Sequence, residues 1–436
     1  MFQYHGVSPT TWAYLSSLLM IGLFFKFGRF WSVRNVDVMM LIFLAPGLLL
    51  IHYGNHMQGK AAEGGSLSQS GSVDSDAGDS RTDNSAVDHG DAVPSEEAGL
   101  VESPTLIEGR KLERWGYFWL FIVGGIWLLR LLLDPAMVRR PLLTPNLSVG
   151  GLTFIGVFLF VFLMANVVTR QPAQVVESGE VQSASSINAA RMDALLEYQQ
   201  ERGPGHALLR RLPHNAQKSV AILSQMFIVI GLVLVGYRHF DNTTNGIGAA
   251  MLYLMLPYTS QLTGRVDHVL PAALLIWAVL CYRRPMLAGF LVGTAGGAVY
   301  YPLFVLPLWF SFYWSRGFIR FGIGVGTSLA LLTCGLAFPR EAGGFLPDFN
   351  RMFGLHVPER VGLEGIWDQT IGGWDPAFRL SVLTAFVVLA ISLAIWPARK
   401  NLGTLISCTA AVMLATQFWH GFGGGLYMAW YLPLVL

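Results

Sequence analysis

Long apolar runs separated by polar connections dominate the chain. Runs such as Gly151–Val168 and Phe321–Phe338 show no alternation of apolar and polar residues. The strands of a membrane barrel alternate over about 10 positions, so the runs predict helices. Measured against the roughly 20 residues of a perpendicular span, about thirteen runs are candidate crossings. They are Trp12–Phe25, Val36–Tyr53, Tyr117–Leu133, Gly151–Val168, Val220–Tyr237, Gly246–Leu262, Leu270–Tyr282, Met286–Val299, Tyr301–Trp314, Phe321–Phe338, Leu380–Trp396, Leu402–Phe418 and Leu426–Leu436. The shorter ones must borrow flanking residues, meet a thinned bilayer or end inside the protein.

The connections between the runs carry an orientation signal. Every second one is basic: Lys26, Arg29 and Arg34; Arg139 and Arg140; Arg238; Arg283 and Arg284; Arg316 and Arg320; Arg399 and Lys400. Positive charge marks the cytoplasmic side, which predicts an outside N-terminus in a cytoplasmic (inner) membrane. The other connections include three long polar segments, expected outside. Residues 59–110 form an acidic, Ser- and Gly-rich linker whose stretch Gly64–Glu97 has almost nothing to bury, so disorder is expected there. Residues 171–218 include a predicted amphipathic helix at Ile187–Arg202 and a Gly-Pro-Gly turn at 203–205. Residues 339–378, rich in Gly, Pro and Trp, are expected to be ordered. The organisation is then two N-terminal membrane helices (1–58), the linker, two more (111–170), the polar loop, a membrane core (219–338), the ordered outer loop and C-terminal membrane helices (379–436).

Composition supports the membrane class. Of 436 residues, 53% are hydrophobic and only 13% charged, where soluble domains carry about 25% charge. The mean hydropathy is +0.49. The formal charge of +2 points to no particular partner, and nothing suggests nucleic-acid binding. Membrane lipids are the expected surroundings. Cys281, Cys334 and Cys408 all sit in apolar runs without CxxC spacing and read as small buried residues. No Lys or Arg precedes the first run, which is the wrong leader for a cleaved signal peptide, so that run is expected to persist as a helix. The chain stops at YMAWYLPLVL inside an apolar run with no basic flank, the pattern expected of a chain that continues beyond Leu436.

Candidate chemistry concentrates at the outer ends of the runs. Thr263-Gly-Arg-Val-Asp-His268 places Arg265, Asp267 and His268 within four residues. Ionisable groups at a membrane boundary are functional candidates: Arg265 suits an anion, Asp267 suits a base, and His268 titrates near neutrality. The alternative is an Arg–Asp pair and a snorkelling His that end two helices. Tyr300-Tyr301-Pro302 breaks the chain; its tyrosines suit either an interfacial aromatic belt or a lipid or sugar site. Trp419 and His420, beside the glycine run 423–425, suit stacking on sugar rings or headgroups, or a plain interfacial anchor. Gly289, Gly293 and Gly297 recur every fourth residue and predict close helix packing. His52 and His56 lack a third ligand nearby. Asn146-Leu-Ser148 and Asn242-Thr-Thr244 match the glycosylation acceptor pattern but fall at inner ends. Arg130 and Asp134, one turn apart, predict a pair.

The stretch Gln261–Pro307 combines an outer polar patch, a short helix, the basic turn Tyr282-Arg283-Arg284-Pro285, a helix reading LAGFLVGTAGG and the aromatic-Pro exit. It resembles the polyprenyl-phosphate-sugar-dependent glycosyltransferases of the GT-C fold, in particular the glycosyltransferase family 87 type. The resemblance implies an all-α, GT-C-like membrane enzyme that moves a sugar from a polyprenyl-phosphate donor at the extracytoplasmic face. Asp267 would be base or metal ligand, with a divalent cation as the candidate cofactor, and Arg265 would hold phosphate. The family's Lys before Tyr-Pro falls at Val299 or Tyr300, so that cation is missing. The family's outer-loop acid has no assigned match; Glu177, Glu180, Glu197, Asp368 and Asp375 are the further carboxylates. A transporter or flippase of lipid-linked material and a non-catalytic membrane scaffold are the rival functions. The first requires ionisable groups at the bilayer midplane, whereas charge here clusters at helix ends.

Overall fold

A computed structural model describes residues 8–70, 104–134, 144–169, 209, 212–262, 264–336, 345–353, 363–397, 400–421 and 426–436. The described chain is helical, without a strand. Its helices are α1 (Pro9–Phe24), α2 (Val33–Ser70), α3 (Pro104–Leu133), α4 (Val149–Thr169), α5 (His214–Phe240), α6 (Thr243–Met255), α7 (Pro257–Leu262), α8 (Val266–Leu280), α9 (Pro285–Ala298), α10 (Leu306–Phe312), α11 (Phe318–Leu336), α12 (Phe345–Phe353), α13 (Ala377–Ile395), α14 (Leu402–Trp419) and α15 (Leu432–Val435). Among the described residues, seven helices are long and apolar enough to cross a membrane: α2 to α5, α11, α13 and α14. This is a helical, multi-pass membrane protein in contact with lipid.

Local chemistry explains where the helices begin and end. Ser8 caps α1 by accepting the N–H of Thr11 at 3.2 Å, with Pro9 at the first helical position. Asn242 caps α6 through the N–H of Asn245 at 2.9 Å, and Asn401 caps α14 through that of Thr404 at 2.7 Å. The run 246–262, read as one crossing, is two helices: Leu256 is extended (φ −57, ψ 133) because Pro257 excludes the helical conformation from the residue before it. Residues Gly248–Met255 of α6 are all buried, so this short helix ends inside the protein. Asn146 is also structural: its side chain donates to the carbonyls of Gly22 and Phe25, locking the α1–α2 turn.

Small residues set the tightest helix pairs. A methyl group added to Gly54 would come within 2.7 Å of the carbonyl oxygen of Gly109, which lets α2 lie against α3. Gly289 and Gly293 of α9 meet the backbone of α11 at Phe321 and Val325, as their four-residue spacing predicts. Arg130 of α3 pairs with Asp134 and also with Asp37 of α2, at 3.1 Å from Nε to Oδ1. The most buried of the long helices is α14, 72% of whose apolar window is covered, against 22% in α4, α11 and α13. The bundle therefore encloses α14, α6 and α8 and turns α4, α11 and α13 toward lipid.

The long polar segments resolve in part. Helix α2 continues to Ser70, past the boundary expected at 58, and α3 begins at Pro104, so the linker's ends are helical. The rest of it lies outside the described residues, as do Arg139, Arg140, Arg399, Glu177, Glu180, Glu197, the helix expected at 187–202 and the turn at 203–205. Of the outer loop, 345–353 is α12, and 363–376 packs on α3 through short turns at Gly365–Trp367 and Gln369–Ile371. Trp367 is buried there and donates its indole N–H to the carbonyl of Phe418 at 3.1 Å. The connections that carry Arg238, Arg283 and Arg284, Arg316 and Lys400 meet at the other end of α8 from Asp267. His239 bonds the carbonyl of Leu280, Tyr313 donates to the carbonyl of Tyr282, and Lys400 donates to Ser311.

Candidate functional site

The sequence candidates come together at the end of the bundle away from those basic connections. Arg265 precedes α8, and Asp267 and His268 occupy its first turn. The Arg265 guanidinium grips the Asp267 carboxylate with two bonds, Nε to Oδ1 at 3.3 Å and Nη2 to Oδ2 at 2.9 Å. Asp267 is 6% exposed and His268 1%. Burial works against the charge on Arg265, and the Asp267 carboxylate more than offsets it, so the guanidinium pKa stands above its ordinary value. The two side chains form a buried ion pair.

His268 is held through one ring nitrogen. Nδ1 meets the hydroxyl of Tyr258, from α7, at 2.5 Å. Nε2 lies 3.7 Å from Asp267 Oδ2, beyond hydrogen-bond reach. The break at Pro257 turns Tyr258 toward α8, so a single proline sets the geometry of the histidine.

An aromatic row leads away from this cluster. His268 stacks on Tyr427 with ring centres 4.2 Å apart; Tyr427 meets His420 at 4.7 Å, and His420 meets Tyr301 at 4.4 Å. Tyr300 stacks on Tyr301 at 4.1 Å and Trp419 meets it at 5.4 Å. Trp430 lies over Tyr427 at 4.4 Å and donates its indole N–H to the Asp267 carbonyl at 3.0 Å, tying the C-terminal segment to the start of α8. The guanidinium of Arg265 sits 6.0 Å from the Tyr427 ring centre, within cation–π range. Burial raises the Tyr300 hydroxyl to about 12.

All seven sequence candidates thus join one cluster: Arg265, Asp267, His268, Tyr300, Tyr301, Trp419 and His420. Tyr258, Tyr427, Trp430 and Arg379 join them without having been singled out. Tyr427 and Trp430 lie in an apolar run that reads as a simple span, and only their aromatic density hinted at more. Arg379 is 8% exposed in the first turn of α13 and donates from Nε to the carbonyl of Trp419 at 2.8 Å. The ordered part of the outer loop borders the cluster, with the Glu364 N–H bonded to the carbonyl of Gly421 at 3.0 Å. Asp368 and Asp375 serve the loop's own turns, accepting from the N–H groups of Thr370 and Ala377.

Among the described residues no group of three His, Cys, Asp or Glu side chains could hold a metal ion, and the two oxygens of Asp267 face Arg265. No family model, curated protein or solved structure matches this chain.

Proposed function

We propose that the protein is a GT-C-like glycosyltransferase of a cytoplasmic membrane, taking its sugar from a polyprenyl-phosphate carrier at the extracytoplasmic face. The observation that carries this reading is the convergence of Arg265–Asp267–His268 with Tyr301, Trp419 and His420, from three separate stretches of the chain, beside the loop 363–376. A buried carboxylate, a guanidinium and a wall of aromatic rings are what sugar transfer from a lipid phosphate requires.

In the proposed reaction Asp267 takes the proton of an acceptor hydroxyl, and the acceptor oxygen forms a bond to the sugar's anomeric carbon. The bond from that carbon to the phosphate oxygen breaks, and the carrier phosphate leaves with the electron pair, stabilised by guanidinium charge. Arg265 keeps Asp267 ionised for this role and is one of the cations at hand. Tyr258 fixes the His268 ring, whose Nε2 borders the carboxylate at 3.7 Å, and the aromatic row stacks on the sugar ring.

Several basic connections meet at the other end of α8 from the cluster; with positive charge taken as cytoplasmic, this reading has an outward-facing site, an outside N-terminus and crossings at the roughly thirteen apolar runs. The short helices α6 and α8 to α10 are then crossings completed by protein rather than lipid. The test is turnover by the full chain in lipid nanodiscs given a panel of polyprenyl-phosphate hexoses and a sugar alcohol acceptor. Transfer from at least one donor is expected. Failure with every donor, from protein that is monodisperse and folded, would count against the reading.

A further inference from the structure

The bonds around His268 decide which of its ring nitrogens carries the proton. Nδ1 meets the Tyr258 hydroxyl at 2.5 Å, and both side chains are buried. Among the described residues, Nδ1 is the acceptor within reach of that hydroxyl, while the backbone N–H of Ala429 also bonds its oxygen. Were the proton on Nδ1, the Tyr258 oxygen would take a second donor and its own proton would be stranded inside the protein, a costly arrangement. The phenol therefore donates, Nδ1 accepts, and the ring N–H is on Nε2.

That N–H is buried without a hydrogen-bond partner. Asp267 Oδ2 stands 3.7 Å from Nε2, too far for a direct bond and near enough for one oxygen atom to lie about 2.8 Å from both. Buried donors without an acceptor are rare in folded proteins and call for one. The chemistry of the two sides selects what bridges them. The group must accept from Nε2–H and donate to a carboxylate, which accepts only. A hydroxyl does both. A phosphate oxygen has no proton to give and would meet the Asp267 charge; a protonated amine has no lone pair for Nε2–H. Oδ2 already takes Arg265 Nη2 at 2.9 Å, and a carboxylate oxygen has room for a second donor.

We infer that His268 Nε2–H and Asp267 Oδ2 together seat the acceptor hydroxyl, the imidazole N–H holding its oxygen and the carboxylate its proton. The inference rests on the transferase reading for the identity of that hydroxyl. When Asp267 takes the proton, the oxygen stays bonded to Nε2–H and turns a lone pair to the anomeric carbon. His268 then touches substrate, and Tyr258 acts through it by fixing the tautomer.

The first measurement is nitrogen-15 NMR of the full chain in nanodiscs with labelled histidine, the His268 signals being assigned by their loss in His268→Gln. Wild type at neutral pH should show a neutral His268 ring protonated on Nε2, and mannitol, the sugar-alcohol probe, should shift the Nε2 signal on titration. A proton on Nδ1, or on both nitrogens, overturns the inference. The second measurement is kcat/KM for transfer to mannitol. His268→Phe keeps a ring against Tyr427 and removes the N–H. It should lose about tenfold, the worth of one hydrogen bond, with KM for the sugar donor unchanged. His268→Gln, whose amide offers an N–H near the place of Nε2, should recover part of the loss. Wild-type kcat/KM in His268→Phe overturns the inference.

Should His268→Phe fail to fold, the titration carries the test. A Nε2 signal unmoved at mannitol concentrations that saturate transfer assigns the gap to a trapped water and overturns the inference. The two proposals fail separately. Transfer to mannitol at wild-type kcat/KM in His268→Phe leaves the enzyme and removes the hydroxyl seat. A Nε2 signal that moves with mannitol, in a chain that transfers from no donor, leaves the seat and removes the enzyme.

Discussion

Replacing Arg265 with Met separates a buried ion pair from a surface one. The side chains of Arg265 and Asp267 are 11% and 8% exposed, and both carboxylate oxygens are bonded to the guanidinium. Exposed pairs are worth about 0–1 kcal/mol. Removing one partner of a buried pair strands the other charge and costs about 3–5 kcal/mol. His268 cannot take over without movement, because its Nε2 stands 3.7 Å from Asp267. Arg265→Met should therefore destabilise by about 3–5 kcal/mol, whereas Arg265→Met combined with Asp267→Leu should recover most of the loss, since well-packed apolar replacements are often neutral or better. Reversible unfolding in mixed detergent micelles reads both values and closes a double-mutant cycle. A loss below about 1 kcal/mol for Arg265→Met, or a double variant no more stable than the single one, would refute the buried-pair reasoning.

Other outcomes follow from the same geometry. Gly324→Leu should abolish stable expression, because a Cβ there overlaps the carbonyl oxygen of Met286, while Gly326→Leu, with nothing within 4 Å, should behave as wild type in size-exclusion chromatography. Trp367→Phe should cost about 1 kcal/mol through its bond to the Phe418 carbonyl, measured by thermal unfolding. Tyr258→Phe should lower kcat for sugar transfer with little change in KM, since it frees the His268 ring without touching ligand; an unchanged kcat excludes the positioning role. In a variant lacking native cysteines, a membrane-impermeant thiol reagent should reach Thr370→Cys and Ser315→Cys from opposite sides of sealed vesicles. Labelling of both from one side contradicts the orientation.

Much of the helical plan was legible because hydrocarbon allows few alternatives for a long apolar run. The apolar runs that the structure describes are helical except Leu426–Leu436, which holds a short 3-10 turn and a single helical turn, and the packing role of Gly289 and Gly293 followed from spacing alone. The run 246–262 shows the limit. Hydropathy registers its apolar content and misses Pro257, which splits it and swings Tyr258 to His268. Helix length also escapes hydropathy, so α2 and α3 extend into polar sequence beyond their apolar windows.

The site was legible as fragments. Arg265, Asp267 and His268 announce themselves by charge at a helix boundary, and Tyr301 and His420 by aromatic breaks. That these fragments share one cluster depends on the packing of α8 and α14 with the C-terminal segment, which no local pattern encodes. Arg379 was hidden because a lone arginine at the start of an apolar helix reads as an ordinary interfacial residue. Its burial, and the aromatic company it keeps, exist only in three dimensions.

The most direct test of the account is the rate of sugar transfer from a polyprenyl-phosphate hexose by Asp267→Asn beside wild type, both folded in nanodiscs. The account predicts a loss of at least about 100-fold, the usual contribution of a general base, with donor binding retained. Transfer at the wild-type rate would contradict it.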